Sequence, residues 1–150
     1  MSRVESAVSC MKSGLCCSQA IACTYGQPFG LDRETAMRLS AGFGGGMGRM
    51  AETCGAVTGA FMVLGLSTDA TTAADKDDRG QIYEQVLDFA NRFAARNGSI
   101  ICDDLMGCDI STPAGLAYAN EKGLFATTCP KMVQDAAEIL EEMLPALKAP

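Results

Sequence analysis

No histidine occurs in the 150 residues of this chain. That absence excludes Cys/His zinc fingers and a Cys–His nucleophile pair. The cysteines include no CxxC pair, which removes thioredoxin-type chemistry and CxxCH haem attachment as well. Basic clusters are also missing: the net charge is −6 and Lys and Arg are scattered. A phosphate backbone finds no footprint here, so nucleic acid is not an expected partner. Long apolar runs are lacking too. GAVTGAFMVLGL, Gly55 to Leu66, falls well short of the roughly 20 apolar residues of a membrane span. MSRVESAVSCMKSG has polar residues every few positions instead of the apolar centre of a secretory signal. A soluble cytoplasmic protein without membrane contact is the expectation. Strict alternation and Val/Ile/Tyr clustering are absent, which leaves no strand pattern.

Helical periodicity is what the chain does have. Tyr83, Val86, Leu87, Ala90, Phe93 and Ala94 recur with the spacing of one helix face, and Val133, Ala136, Ala137, Leu140, Met143 and Leu144 repeat it. These ladders predict helices over about Ala74–Asn97 and Pro130–Leu144, the first closed by Asn97-Gly98 and the second opened by Pro130. Ser111-Thr112-Pro113 starts a short helix that ends near Gly123. Further helices are expected over Val4–Met11, Cys16–Tyr25, Asp32–Ala41 and Cys54–Leu66. The fold class is therefore all-α, a compact helical bundle forming a single domain over residues 1–150.

Between two of these helices stands AGFGGGMGRM, Ala41 to Met50. It fits neither GxGxxG within a βαβ unit nor GxxxxGK[ST]. Its glycines permit positive φ and close backbone approach, and the segment leads into the helix that Thr53 is expected to cap. The glycine-rich loop 42–48 with Arg49 also offers backbone N–H groups and a cation to an anion.

Eight cysteines occupy positions 10, 16, 17, 23, 54, 102, 108 and 129. In a reducing cytosol they read as thiols, metal ligands or catalytic groups before they read as a disulfide framework. Cys17, Cys54 and Cys129 each fall at an expected helix start, where free N–H groups favour a thiolate, and depressed thiol pKa values follow for Cys54 and Cys129. Cys10 and Cys23 read as small hydrophobes, while Cys16 and Cys108 have no assigned role. Gly55 and Gly59, beside Ala56 and Ala60, form a small-residue face against which another backbone can approach, bringing Cys54 near cysteines of other segments. Asp135, Glu138, Glu141 and Glu142 lie largely off the apolar stripe and read as a solvated acidic face.

GLCCSQA, LSAGFGGGMGRM, TCGAVTGAFMVLGL, SIICDDLMGCDIS and KGLF…CPKMVQDAAEIL follow one another in an order that resembles the C_GCAxxG_C_C family, to which a redox role is ascribed. The resemblance runs from about Gly14 to Leu144, with Thr53 standing ahead of CGAxxG. It implies that Cys17, Cys54, Cys102 and Cys129 are the signature cysteines. The chain is also similar to the helical part of split-Soret cytochromes c, where such cysteines accompany a non-haem iron centre; haem itself is not expected here.

The leading expectation is an iron–sulfur electron-transfer centre held by these four thiolates. A metal-free thiol–disulfide relay on the same residues is the alternative. A four-cysteine zinc site, or a scaffold with inert cysteines acting through its acidic surface, stands behind these. Whether the protein is an enzyme is left open. A redox partner of unassigned identity is implied, and a homodimer by analogy with the cytochrome.

Overall fold

The computed structural model describes residues 1–69 and 76–148. The chain runs through α1 (Arg3–Lys12), α2 (Cys17–Gly26), α3 (Arg33–Ser40), α4 (Gly44–Met47), α5 (Gly55–Leu66), α6 (Lys76–Asn97), α7 (Cys102–Met106), α8 (Pro113–Glu121) and α9 (Leu124–Met143). Short 3-10 turns at Gln27–Phe29, Ala41–Phe43 and Pro145–Lys148 complete it. The fold is all-α. One antiparallel bridge, Thr53 with Ile101, is the extent of β pairing among the described residues.

Local chemistry starts several of these helices. Ser2 and Glu5 form a reciprocal capping box on α1: Glu5 N donates to Ser2 Oγ at 3.1 Å and Ser2 N to Glu5 Oε2 at 2.7 Å. Asp32 caps α3 by accepting from Thr35 N at 3.0 Å. Thr112 caps α8, with Pro113 in its first turn where no N–H is needed. Each cap satisfies donors that a helix start otherwise leaves exposed.

The apolar helix α5 lies inside the molecule, with Ala56, Val57, Ala60, Val63 and Leu64 buried. Its glycines let α2 approach. A methyl added at Gly59 would stand 3.0 Å from the Ser18 carbonyl oxygen and 3.1 Å from Ile21 Cβ, and one at Gly55 would stand 3.0 Å from Ser18 N. The small-residue face is thus the seat of α2. Packed against α1, α2 and α5, α9 buries Val133, Ala136, Ala137 and Leu140, part of the stripe expected from its periodicity.

Several boundaries and faces differ from the sequence reading. α9 begins at Leu124, so Pro130 sits inside the helix and Cys129 is an interior residue. The helix tolerates the proline by leaving the Ala126 carbonyl without its usual N–H partner. Thr53 belongs to the bridge, and Cys54 takes the N-cap position of α5. In α6 the buried positions are Phe89 and Phe93, while Tyr83 and Leu87 are exposed. Phe61 of α5 meets Phe89 edge-on at 6.0 Å and thereby fixes that rotation. The expected start of this helix at Ala74 lies outside the described residues.

The acidic residues of α9 are more than a solvated face. Arg96 of α6 pairs with Glu138 at 2.6 Å, Glu142 at 2.7 Å and Asp135 at 3.5 Å. Asp135 is buried and also receives Lys131 at 2.6 Å. Glu141 accepts from the buried Tyr25 hydroxyl at 2.8 Å, and burial and this carboxylate raise the phenol's pKa. No helix among the described residues is long and apolar enough to cross a membrane.

Candidate functional site

Three of the four cysteines that the resemblance singles out stand where helices begin. Cys17 is the first residue of α2, Cys54 the N-cap of α5, and Cys102 the first residue of α7. Cys129 projects from within α9. The bridge sets Cys54 against Cys102: Cys54 N donates to the Ile100 carbonyl at 2.8 Å and Cys102 N to the Glu52 carbonyl at 2.6 Å. Antiparallel pairing of Glu52–Cys54 with Ile100–Cys102 therefore delivers both cysteines, and the two helices that follow them, to one place. α2 brings Cys17 to the same place through its close contact with Gly55, whose added methyl would lie 3.2 Å from Cys17 Cβ.

All four cysteines line a single cavity of about 490 Å³, and each is only 6–8% exposed. Met106 and Met132, also buried, share its walls, and the Cys129 sulfur lies 3.8 Å from the Met106 thioether. Among the described residues, Arg49 is the one charged side chain in the lining.

The thiols are electrostatically unequal. The Cys17 sulfhydryl is in hydrogen-bonding contact with Cys129 and Cys54, and those contacts, with burial, raise its pKa well above the ordinary thiol value. The same contact lowers Cys54, assisted by the N–H groups of Ala56 and Val57 at the start of α5. Cys129 is lowered by its contact with Cys17, against burial and the neighbouring Cys54 charge. The direction expected for Cys129 is present, but a neighbouring sulfhydryl replaces the helix start as its cause. Cys17 has one proton to give, to one neighbour at a time, so these three sulfurs titrate as a unit. Cys102 is pushed up to about 12, first by burial and then by the charges of Cys54 and Cys129.

A left-handed turn closes one side of the cavity. Gly45, Gly46, Met47, Gly48 and Arg49 all have φ between +65° and +69°. Met47 and Arg49 lack glycine's freedom and each costs on the order of 1–2 kcal/mol there. The turn needs its glycines for approach as well as for conformation. A methyl at Gly46 would stand 2.7 Å from Cys102 Cβ, and one at Gly44 would stand 2.8 Å from the Cys16 sulfur. The glycine run is thus packed against the cysteines of two other segments.

Sequence reasoning left Cys16 without a role, yet it lines the cavity beside Cys17 and is half-buried, its sulfur 3.3 Å from Ser18 Oγ. The Cys16-Cys17 doublet was its available signal. Met106 and Met132 carried no signal beyond apolar spacing. Of the other cysteines, Cys10 lies near Thr24, 4.0 Å from its hydroxyl, and Cys23 packs in a separate small cluster with Ala22 and Ala36. Cys108 is half-buried against the main core. None of these three lines the cavity. All eight cysteines are free thiols. Among the described residues, no three His, Cys, Asp or Glu side chains stand in the arrangement of a metal-binding group.

No curated protein and no solved structure matches this chain. The sequence model of one family does, over residues 15–143, a span that includes every cysteine of the cavity, and its description is "Putative redox-active protein (C_GCAxxG_C_C)". The chain belongs to the C_GCAxxG_C_C family.

Proposed function

We propose that this protein is a small electron-transfer protein in which Cys17, Cys54, Cys102 and Cys129 hold an iron–sulfur cluster. The observation that carries the reading is that four cysteines from four separate helices line one cavity of about 490 Å³. The donor set fits. Four thiolates are the usual ligands of [2Fe–2S] and [4Fe–4S] clusters, and the wall offers sulfur with no histidine and no carboxylate. Burial fits as well, because electrons reach a sequestered centre without contact between a partner and the sulfurs. When bound, the cluster would supply one-electron chemistry. The chain's own part is to present four thiolates, exclude water with Met106, Met132 and Phe125, which also line the cavity, and hold α2, α5, α7 and α9 at fixed spacing.

A second reading rests on the contacts of Cys17 with Cys54 and Cys129. Two such thiols form a disulfide by losing two protons and two electrons to an external disulfide, which is reduced to two thiols. The low exposure of the four sulfurs weighs against exchange with a protein partner.

Anaerobic purification followed by iron and sulfide analysis and a visible spectrum separates the two. A brown protein with stoichiometric iron and sulfide is expected. Cys54→Ser should remove most of that iron and Cys10→Ser should leave it, since Cys10 does not line the cavity. A colourless protein whose thiols oxidise in pairs would establish the relay instead, and equal iron loss in both variants would refute the four-cysteine assignment.

A further inference from the structure

The cavity has an inside and an outside. Its signature cysteines and methionines are buried, whereas Gly14, Ala41, Gly48 and Arg49 are exposed, so those four mark the mouth. Two side chains fold against consecutive glycines of the left-handed turn. Cys16 occupies the space a methyl at Gly44 would take, and the Arg49 Cγ lies 2.9 Å from where a methyl at Gly45 would be. Arg49 keeps its place at a φ of +65° that disfavours any residue with a side chain. Three cations are engaged elsewhere, Arg92 with Asp88, Arg96 with Glu138 and Lys131 with Asp135; Lys12, Arg33 and Arg38 have no such ion pair among the described residues, but unlike Arg49 they do not line the cavity. Arg49 has no carboxylate partner among the described residues, in a protein whose net charge of −6 otherwise repels anions.

We propose that the mouth of the cavity admits a small anion, selected by Arg49 and meeting the Cys16 sulfur outside the space that the four buried cysteines enclose. A volume of about 490 Å³ is within the range of small-molecule sites. An unpaired guanidinium at the rim of a largely apolar chamber attracts one sign of charge, and the field is focused where the walls exclude water. Cys16 is the half-buried thiol of the lining, so it reports what passes the mouth. This goes beyond the cluster reading and does not depend on it, because Cys16 is not one of the four proposed ligands.

Iodoacetate and iodoacetamide provide the probe. Both form a thioether with the Cys16 thiolate and release iodide, and they differ in the charge they carry. The ratio of their rates therefore cancels the thiolate fraction and general access. Rates at Cys16 are read by peptide mass spectrometry on anaerobically isolated protein, with Cys10, which lies outside the cavity, as the internal reference. Going from wild type to Arg49→Gln at low salt, the iodoacetate-to-iodoacetamide ratio at Cys16 should fall about two- to threefold, the size of a unit-charge interaction across several ångströms of water. Arg49→Lys should retain it, and high salt should abolish the difference. A ratio that does not fall in Arg49→Gln, or that falls equally at Cys10, overturns the proposal. Iron content plays no part in this outcome, so a colourless protein with the expected ratio would remove the cluster and leave the anion site standing.

Discussion

Cys17, Cys54, Cys102 and Cys129 share a cavity but not an environment, and the difference has a consequence for stability. Cys102 ionises in the unfolded chain near its ordinary value of 9.0 and in the folded chain only at about 12. Between these values the folded state holds a proton that the unfolded state has released, so stability is full below about pH 9 and falls as pH rises toward 12. Cys17, also raised, steepens that fall. Cys54 is lowered, so its contribution has the opposite sign: it is present above the ordinary thiol value and is lost as pH falls through its folded value. Urea unfolding from pH 8.5 upward, on metal-free reduced protein, should show the alkaline loss, bounded at about 4 kcal/mol for Cys102 alone by three units at 1.36 kcal/mol each. Cys102→Ala should flatten it, and an unchanged slope would show that other groups govern it. The sequence announced some of these positions and hid others. Cys17 and Cys54 stand next to legible helix starts. α7 is too short to show a period, and Cys102 reaches the site through its pairing with the segment around Thr53, which no local pattern encodes.

At the scale of elements, helix existence was easier to read than helix ends or rotation. α1, α2, α3 and α5 lie within a residue or two of their expected bounds because caps and glycines mark them. α9 starts six residues before Pro130: a proline usually marks a first turn, but a helix packed on its neighbours can absorb its missing N–H. α6 was turned about its axis, because two ladders one residue apart compete and only the contact of Phe89 with Phe61 decides between them. The small-residue face of α5 was legible, and two glycines of that helix test it. Gly59→Ala drives a methyl to 3.0 Å from the Ser18 carbonyl and 3.1 Å from Ile21 Cβ, so it should destabilise by about 1–3 kcal/mol. Gly65→Ala meets nothing within 4 Å and should instead stabilise by about 0.5–1 kcal/mol through the lower entropy of the unfolded chain. Thermal unfolding of the two variants measures both, and equal effects would mean that α2 does not depend on close approach to α5.

For the whole molecule, the buried core and the ion pairs divide the task of holding α6 and α9 together. Phe89 and Phe93 supply the apolar contact, and Arg96 spans Asp135, Glu138 and Glu142 beside it. Isolated surface pairs contribute little, but here one guanidinium stands among three carboxylates, one of them on a buried residue. Removing it leaves Glu138 without a cation, Glu142 with only the 3.5 Å contact to Arg92, and Asp135 with Lys131 alone. Arg96→Met keeps most of the alkyl stem, so its effect reports the charge more than the packing. A loss of about 1–2 kcal/mol is expected, equivalent to about 3–6 °C in Tm at this chain length. The sign of the salt response is the sharper test. Wild type loses attraction as ionic strength rises, whereas the variant loses repulsion, so the gap between them should narrow from low salt to 0.5 M. The double variant Arg96→Met with Glu138→Gln should recover part of the loss by removing the charge left without a cation. If the gap is insensitive to salt and the second substitution restores nothing, α6 is held on α9 by Phe89 and Phe93 alone, and the acidic face is the solvated surface that its sequence pattern suggested.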